Sequence, residues 1–268
     1  MGLYIIKKNA ALKTNRRIGV CPYHLEATPL EAIDVNWPED FELASLIAAG
    51  LREKERKLLN NVKTHLTSSM LSDILDDLGL KGVIRGLTLN LPDKKVFGRS
   101  KTMRLKVLAK GEDFRGVYKA LESYDTIIPN DIIVVENESA DFAYFGELNA
   151  NLAIRAGACA AIIGGKTRDV GAVRGLGFPV FSMGNTCQDV RKRATLDYIN
   201  KDIAVNGVKI EPECLIFGDE DGVIVIPKSF EKDVLKRAFD VVNNEKSVLL
   251  DIASGSSVSQ LTSSYGFF

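Results

Sequence analysis

Arg168 and Asp169 stand side by side in the stretch GGKTRDVGAVRGLGFPVF (164–181), just past an apolar run and two glycines. A planar guanidinium grips a carboxylate with paired hydrogen bonds. An Asp carboxylate is a hard oxygen ligand suited to Mg²⁺ or Mn²⁺. Upstream lies Gly146, which opens FGELNANLAIRAG, a segment that reads as the start of a helix. The first amides of a helix have no intrahelical acceptor and sit at the positive end of its dipole, so they can cradle a small anion. A glycine there lets a ligand approach the backbone closely. Together these parts suit enolate chemistry. A 2-oxo acid would place its carboxylate on the amides and Arg168 and its oxo group on the metal. Cleavage of the carbon–carbon bond beta to that oxo group would leave a negative charge for both to stabilise. The competing readings are a solvated Arg–Asp pair and an ordinary helix cap. No lysine stands out for Schiff-base chemistry, because Lys166, beside Gly164 and Gly165, reads as solvent-facing.

Elements with recognisable periods must position these groups. CAAIIGG (159–165) reads as a buried strand ending in glycines, and IIGGKTRD then carries the Arg–Asp pair into the next loop. The carboxyl end of a strand in an open α/β sheet is where ligands bind. ELNANLAIRAGA (147–158) reads as a helix closed by Gly157, and DIIVVE (131–136) and KTMRLKVLA (101–109) read as strands. FRGVYKALESY (114–124) reads as a helix, PVFSMG, CLIFGDEDG and VIVIP as further short strands, and Phe230 to about Ser254 as a closing helix. Between Phe41 and Leu78 the leucine and isoleucine spacing predicts two amphipathic helices, the first entered through VNWPED and the second starting after Thr67–Ser69 and stopping at Gly79. The acids of GDEDG (218–222) read either as a turn or as a metal-like cluster. The order of elements predicts an α/β core with a helical N-terminal extension, divided as 1–62 and 63–268.

Composition bounds the partners. The 268 residues are 46% hydrophobic and 26% charged, enough for a sizeable core. Lys+Arg and Asp+Glu both number 35, so no basic field draws a nucleic acid. No apolar run reaches the length of a membrane span. The start, MGLYIIKKNAALKTNRR, has too short an apolar segment for a secretory signal. Cys21, Cys159, Cys187 and Cys214 are far apart, which predicts reduced thiols and a cytoplasmic protein. His24 and His65 lack ligand-like neighbours for zinc.

The stretch GELNANLAIRAGACAAIIGGKTRDVGAVRGLGFPVFSMG closely resembles the 4-hydroxy-4-methyl-2-oxoglutarate aldolases and the related regulator-of-ribonuclease-E-activity proteins. Their pattern is a Gly-Glu/Asp-Leu helix start, an Arg-Asp pair about twenty residues on, and a Leu-Gly-Phe-Pro-Val-Phe stretch. The 22 positions from Gly146 to Arg168 match it without a gap. MLSDILDDLGL (70–80), FGRSKTMRL (97–105), GDEDGVIVIP (218–227) and Tyr265-Gly266 extend the likeness over roughly 65–266. The resemblance implies a β/β/α swivelling-type sandwich assembled as trimers or hexamers with the site between subunits. It implies an aldolase that uses Mg²⁺ or Mn²⁺ to release pyruvate from a 4-hydroxy-2-oxo acid, with oxaloacetate decarboxylation as a related activity, or else a non-catalytic regulatory protein. In the aldolase reading Arg168 grips the pyruvate moiety and Asp169 is the metal ligand. The backbone at Gly146, Leu148 and Asn149 holds substrate oxygens, and Glu147 is an acid/base partner. Glu245 from a neighbouring subunit is the best match for a further acid. Gly164 stands where family members often carry Asp, Asn149 replaces an apolar residue, and Lys166-Thr167 replaces a smaller, apolar pair.

Overall fold

The computed structural model describes residues 6–266 apart from positions 17, 25, 27 and 31, and apart from the side chains at 243–247, 249 and 250. The chain divides into two units, Met1–Glu55 and Arg56–Phe268. In the first, α1 (Lys8–Thr14) ends at Asn15 in the left-handed conformation; α2 (Pro38–Lys63), whose residues from Arg56 on belong to the second, begins at a proline. Proline suits a first helical turn because the missing N–H has no partner there anyway. Asp40 accepts the amides of Asn36 and Trp37, both at 3.0 Å, and so fixes that start.

In the second unit, α3 (Ser68–Asp77) precedes the short strands β1 (Val83–Ile84) and β2 (Thr88–Leu89) and the long β3 (Val96–Val107). Then come α4 (Lys119–Glu122), β4 (Asp131–Asn137), α5 (Glu147–Ala156), β5 (Ala160–Gly164), α6 (Val170–Gly175) and β6 (Val180–Ser182). Strands β7 (Ala194–Ile199), β8 (Ile203–Val205), β9 (Val208–Ile210), β10 (Leu215–Gly218) and β11 (Val223–Ile226) precede α7 (Glu231–Ala253) and α8 (Val258–Tyr265). The main sheet runs β1-β11-β10-β3-β4-β5-β6-β2, with β7 also on β3. β3, β4, β5 and β6 are mutually parallel.

Strands β4 and β5 are apolar on both faces because both faces are covered, as parallel strands require. Ile133, Val135, Ala161 and Ile163 pack with Ala150 and Ala153 of α5. Ile132, Val134, Ala160 and Ile162 pack on the other side with Ile203, Val205, Val208 and Ile210 of the β8–β9 hairpin. The layers are therefore hairpin, sheet and helix, the α/β arrangement expected. A third apolar cluster joins Leu59 and Val62, at the end of α2, to Leu71 and Leu75 of α3, Val234 of α7, and Phe217 and Ile224 of β10 and β11. Among the described residues no helix is long and apolar enough to cross a membrane.

Two expectations change. The segment 114–124 is not one helix: 3-10 turns at Phe114–Tyr118 and Ser123–Thr126 flank the single turn of α4. Ser123 Oγ donates to the carbonyl of Ala120 at 2.6 Å and Thr126 Oγ1 to that of Ser123 at 2.7 Å. Such hydroxyls compete for carbonyls three residues back and favour the tighter turn. Strands β7, β8 and β9 are also additional to the expected set.

GDEDG forms a turn, closed by the Asp219 amide on the carbonyl of Gly222 at 3.1 Å. Buried Asp219 also accepts Ser68 Oγ at 2.6 Å and the Ser68 amide at 2.9 Å, and so caps α3 from 151 residues away. Asp219→Ala orphans both donors and is expected to cost about 1–3 kcal/mol, read as a lower urea midpoint at unchanged m-value. An unchanged midpoint would show that this cap carries no stability.

Candidate active site

The carboxyl ends of β4, β5 and β6 open into three loops, and these loops meet. Phe145, beyond β4, forms a parallel bridge with Thr167, beyond β5, and Thr167 forms one with Asn185, beyond β6. Buried Thr167 also donates to Asn185 Oδ1 at 3.1 Å and lies 3.3 Å from Ser182 Oγ. Ala143 bridges to Asp189, so the β6 loop is held along its length. Arg168, Asp169, Gly146 and Asp189 are thereby fixed to one another through backbone.

Between these loops lies a cavity of about 280 Å³. Gly146, Leu148 and Asn149 form one wall, Arg168 and Asp169 a second, and Asp189, Val190 and Arg191 a third. Val117, Tyr118 and Leu121 close the fourth side, with Tyr144 also in the lining. The cavity unites the expected positions 146, 148, 149, 168 and 169. Glu147 is the exception: it is exposed and is not a lining residue. As the first residue of α5 it brings its amide to the Asp169 carboxylate. Glu245 lies on α7, but its side chain is outside the described residues.

Arg168 Nη1 pairs with Asp189 Oδ2 at 2.8 Å, and its Nε lies 3.5 Å from Asp169 Oδ2. Its amide donates to the carbonyl of Phe145 at 2.9 Å. Asp169 sits at φ 54, ψ 34, a left-handed conformation unusual for a residue with a side chain. Such backbone is kept where the surroundings over-determine it, commonly at functional sites. The Glu147 amide donates to Asp169 Oδ2 at 3.3 Å, whereas Oδ1 has no donor among the described residues. One open carboxylate oxygen fits Mg²⁺ or Mn²⁺, which bind through one or two carboxylates and fill the remaining positions with water and substrate. No group of three or more potential ligands occurs among the described residues, so Asp169 would hold the ion with little other protein help.

Gly146 also makes room for a neighbouring side chain. A Cβ there would lie 2.5 Å from Asp169 Oδ2 and 3.1 Å from Arg168 Cγ, so the glycine admits the chain's own acid. The amides of Leu148 and Asn149, one residue further in, have no acceptor among the described residues and belong to residues that line the cavity. Gly157, at φ 95, ends α5 in the left-handed conformation expected of a closing glycine.

Asn149 is tied down by its side chain as well as placed by its backbone. Its Nδ2 donates to the Tyr144 carbonyl at 3.2 Å and lies 3.4 Å from Tyr124 Oη. Burial pushes the Tyr124 hydroxyl up to about 12 and the Tyr144 hydroxyl well above its ordinary value. Both phenols therefore stay protonated at neutral pH and serve as neutral supports, not bases. Lys166 reaches Asp141 at 3.1 Å, on the surface as expected. At Gly164 a Cβ would stand 2.9 Å from the carbonyl oxygen of Val135 and 3.3 Å from Val205, which leaves no room for a carboxylate.

Asp189, Arg191 and Tyr144 are among the lining residues that lie outside the expected set. Their signal was positional: Asp189 and Arg191 follow a parallel strand as Arg168 does, where ligands gather.

A model of the RraA-like family, described as Aldolase/RraA, matches residues 68–225. A Halalkalibacterium halodurans protein with the provisional name 4-hydroxy-4-methyl-2-oxoglutarate aldolase is 34% identical over 175 residues, covering 65% of this chain and 78% of that protein. Protein DlpA of Legionella pneumophila is 27% identical over 199 residues, which is 74% of this chain but 32% of DlpA, so the chain spans about a third of that relative's length. Among solved structures, an uncharacterised Pseudomonas syringae pv. tomato protein superposes with a TM-score of 0.70 at 26% identity, covering 78% of this chain and 94% of that one. Streptomyces coelicolor RraAS2, described as an unusual member of the RNase ES inhibitor RraA protein family, gives a TM-score of 0.62 at 23% identity over 71% and 94% of the two chains, a likeness of fold.

Proposed function

The chain belongs to the RraA-like (Aldolase/RraA) family, and from that premise we propose that it is a divalent-metal-dependent aldolase releasing pyruvate from a 4-hydroxy-2-oxo acid. The observation that supports this most directly is the convergence of Arg168, Asp169 and the open amides of α5 on one cavity. The chemistry is assigned to residues 63–268, with 1–62 as an appended helical segment.

Arg168 and the amides of Leu148 and Asn149 bind the substrate's carboxylate and orient its oxo group. Asp169 would hold Mg²⁺ or Mn²⁺, which supplies Lewis-acid polarisation of that oxo group when bound. The C4 hydroxyl loses its proton, the C3–C4 bond breaks, and the electron pair passes to C3 and the oxo oxygen while the C4 fragment leaves as a carbonyl compound. Protonation at C3 then gives pyruvate. Arg168, already fixed by Asp189, needs no reorganisation as negative charge develops beside it, which is the condition under which such groups contribute most. The proton at C4 is assigned to Glu147 at the rim, with Glu245 of a second copy in a trimer or hexamer as the further acid. Loss of carbon dioxide from oxaloacetate would use the same electron sink.

The test is a panel of 4-hydroxy-2-oxo acids and oxaloacetate, assayed for pyruvate with Mg²⁺ or Mn²⁺, with EDTA, and in Asp169→Ala. Pyruvate release is expected to depend on the metal and to fall by about 10²-fold or more in the variant. Metal-independent release, or full activity without Asp169, would refute the assignment. No release from any substrate would favour a regulatory binding protein.

A further inference from the structure

The long helix α2 (Pro38–Lys63) ends before residue 68, where the family match begins, and the reaction above makes no use of it. Leu43, Leu46, Ile47, Gly50, Leu51 and Leu58 recur along it at spacings of three, four and seven, which puts them on one stripe. Globular helices turn such a stripe inwards. Here Leu43 is 51% exposed, Leu46 65%, Leu51 51% and Leu58 57%, and Ile47 is only half-buried. Contiguous apolar surface of this kind marks an interaction face.

Two further features say what the face fits. Gly50 sits at the middle of the stripe, and a Cβ there would meet nothing within 4 Å, so no contact among the described residues requires a glycine. Glycine weakens a helix interior, and its use is to admit the close approach of another chain. The charges along α2 are also sorted. Pro38–Leu51 holds Glu39, Asp40 and Glu42 and no base. Arg52–Lys63 holds five bases and two acids, so the two halves carry net −3 and +3. A second α2 laid parallel would set like charge on like. Laid antiparallel, it runs each acidic half along the basic half of the other, which is the complementarity that fixes register.

We propose that α2 pairs antiparallel with α2 of a second copy of this chain, about a two-fold axis between Gly50 and Leu51. That centre sets Leu43 opposite Leu58 of the second copy and Gly50 opposite its Leu51. Each pair occurs twice, as a two-fold contact requires. The glycine then receives a leucine, and Ile47 meets the stem of Lys54, whose ammonium reaches past it to water.

The experiment is thiol crosslinking of the full chain with a short bis-maleimide, with the exposed Cys21 and Cys187 changed to serine in every variant. Positions 43 and 58 lie about 22 Å apart along a helix, too far for the reagent to join them within one chain. Leu43→Cys and Leu58→Cys together should give a covalent dimer. Either alone should not, because an antiparallel pair holds like positions the same distance apart. Adding Glu39→Lys and Glu42→Lys to the double variant should cut the crosslinked fraction about 10-fold at low salt. Adding Lys54→Glu and Lys57→Glu as well should restore it, which a mere loss of helix stability would not allow. A dimer from either single variant, or none from the double, overturns the proposal, as does a second charge reversal that restores nothing. The readout needs no turnover, so it is independent of the reaction assigned to the cavity.

Discussion

Replacing Arg168 with methionine is expected to lower kcat/KM for pyruvate release by about 10³-fold or more, and replacing it with lysine by nearly as much. The side chain has two tasks on two edges. Nη1 is bound to Asp189 at 2.8 Å, which leaves the rest of the fork for a carboxylate. Methionine removes both contacts and leaves Asp189 facing the cavity without its cation. Lysine restores the charge, but a single ammonium cannot hold Asp189 and also grip a planar carboxylate in two places. A 10³-fold loss corresponds to about 4 kcal/mol of transition-state stabilisation, beyond what a surface ion pair contributes. Steady-state kinetics on both variants, with circular dichroism to confirm folding, decide the matter. If lysine restored activity to within a few-fold, Arg168 would be only a source of charge. If methionine were active, the reaction would lie elsewhere.

The parts of this site that could be read in the sequence are those fixed by local rules. Helix α5 lies between Gly146 and Gly157 because one glycine begins it and the other closes it in a left-handed turn. The double-faced burial of β4 and β5 made them apolar runs, and the loop after β5 then had to carry Arg168 and Asp169 to the sheet's carboxyl edge. Asp189 and Arg191 were illegible for the opposite reason. No local motif marks them, and the bridge from Ala143 to Asp189 brings their loop against Arg168. The same holds for Val117, Tyr118 and Leu121, which become a wall through tight turns whose hydroxyl contacts leave little periodic trace. Asp219 shows how a local signal can mislead: three acids in a row suggest a metal, yet the buried one caps a helix 151 positions away.

Gly146→Ala is expected to lower kcat/KM by about 10²-fold or more while removing no functional group. Gly146 has φ −150, extended backbone that alanine adopts without strain, so the peptide itself does not object. The added methyl would stand 2.5 Å from Asp169 Oδ2 and 3.1 Å from Arg168 Cγ, and those side chains must shift to escape it. Displacements of about 1 Å in a reacting assembly cost on the order of 10²-fold. The loss of a glycine N-cap costs stability far less, about 1 kcal/mol or under, so folding should persist and activity should not. A double-mutant cycle separates this from general damage. With Asp169→Ala already present, the atom that the methyl meets first is gone, and Gly146→Ala should then have little further effect. Additive losses would mean that the glycine and the aspartate act independently, and the shared cavity would then no longer explain why this chain has a glycine at the opening of α5.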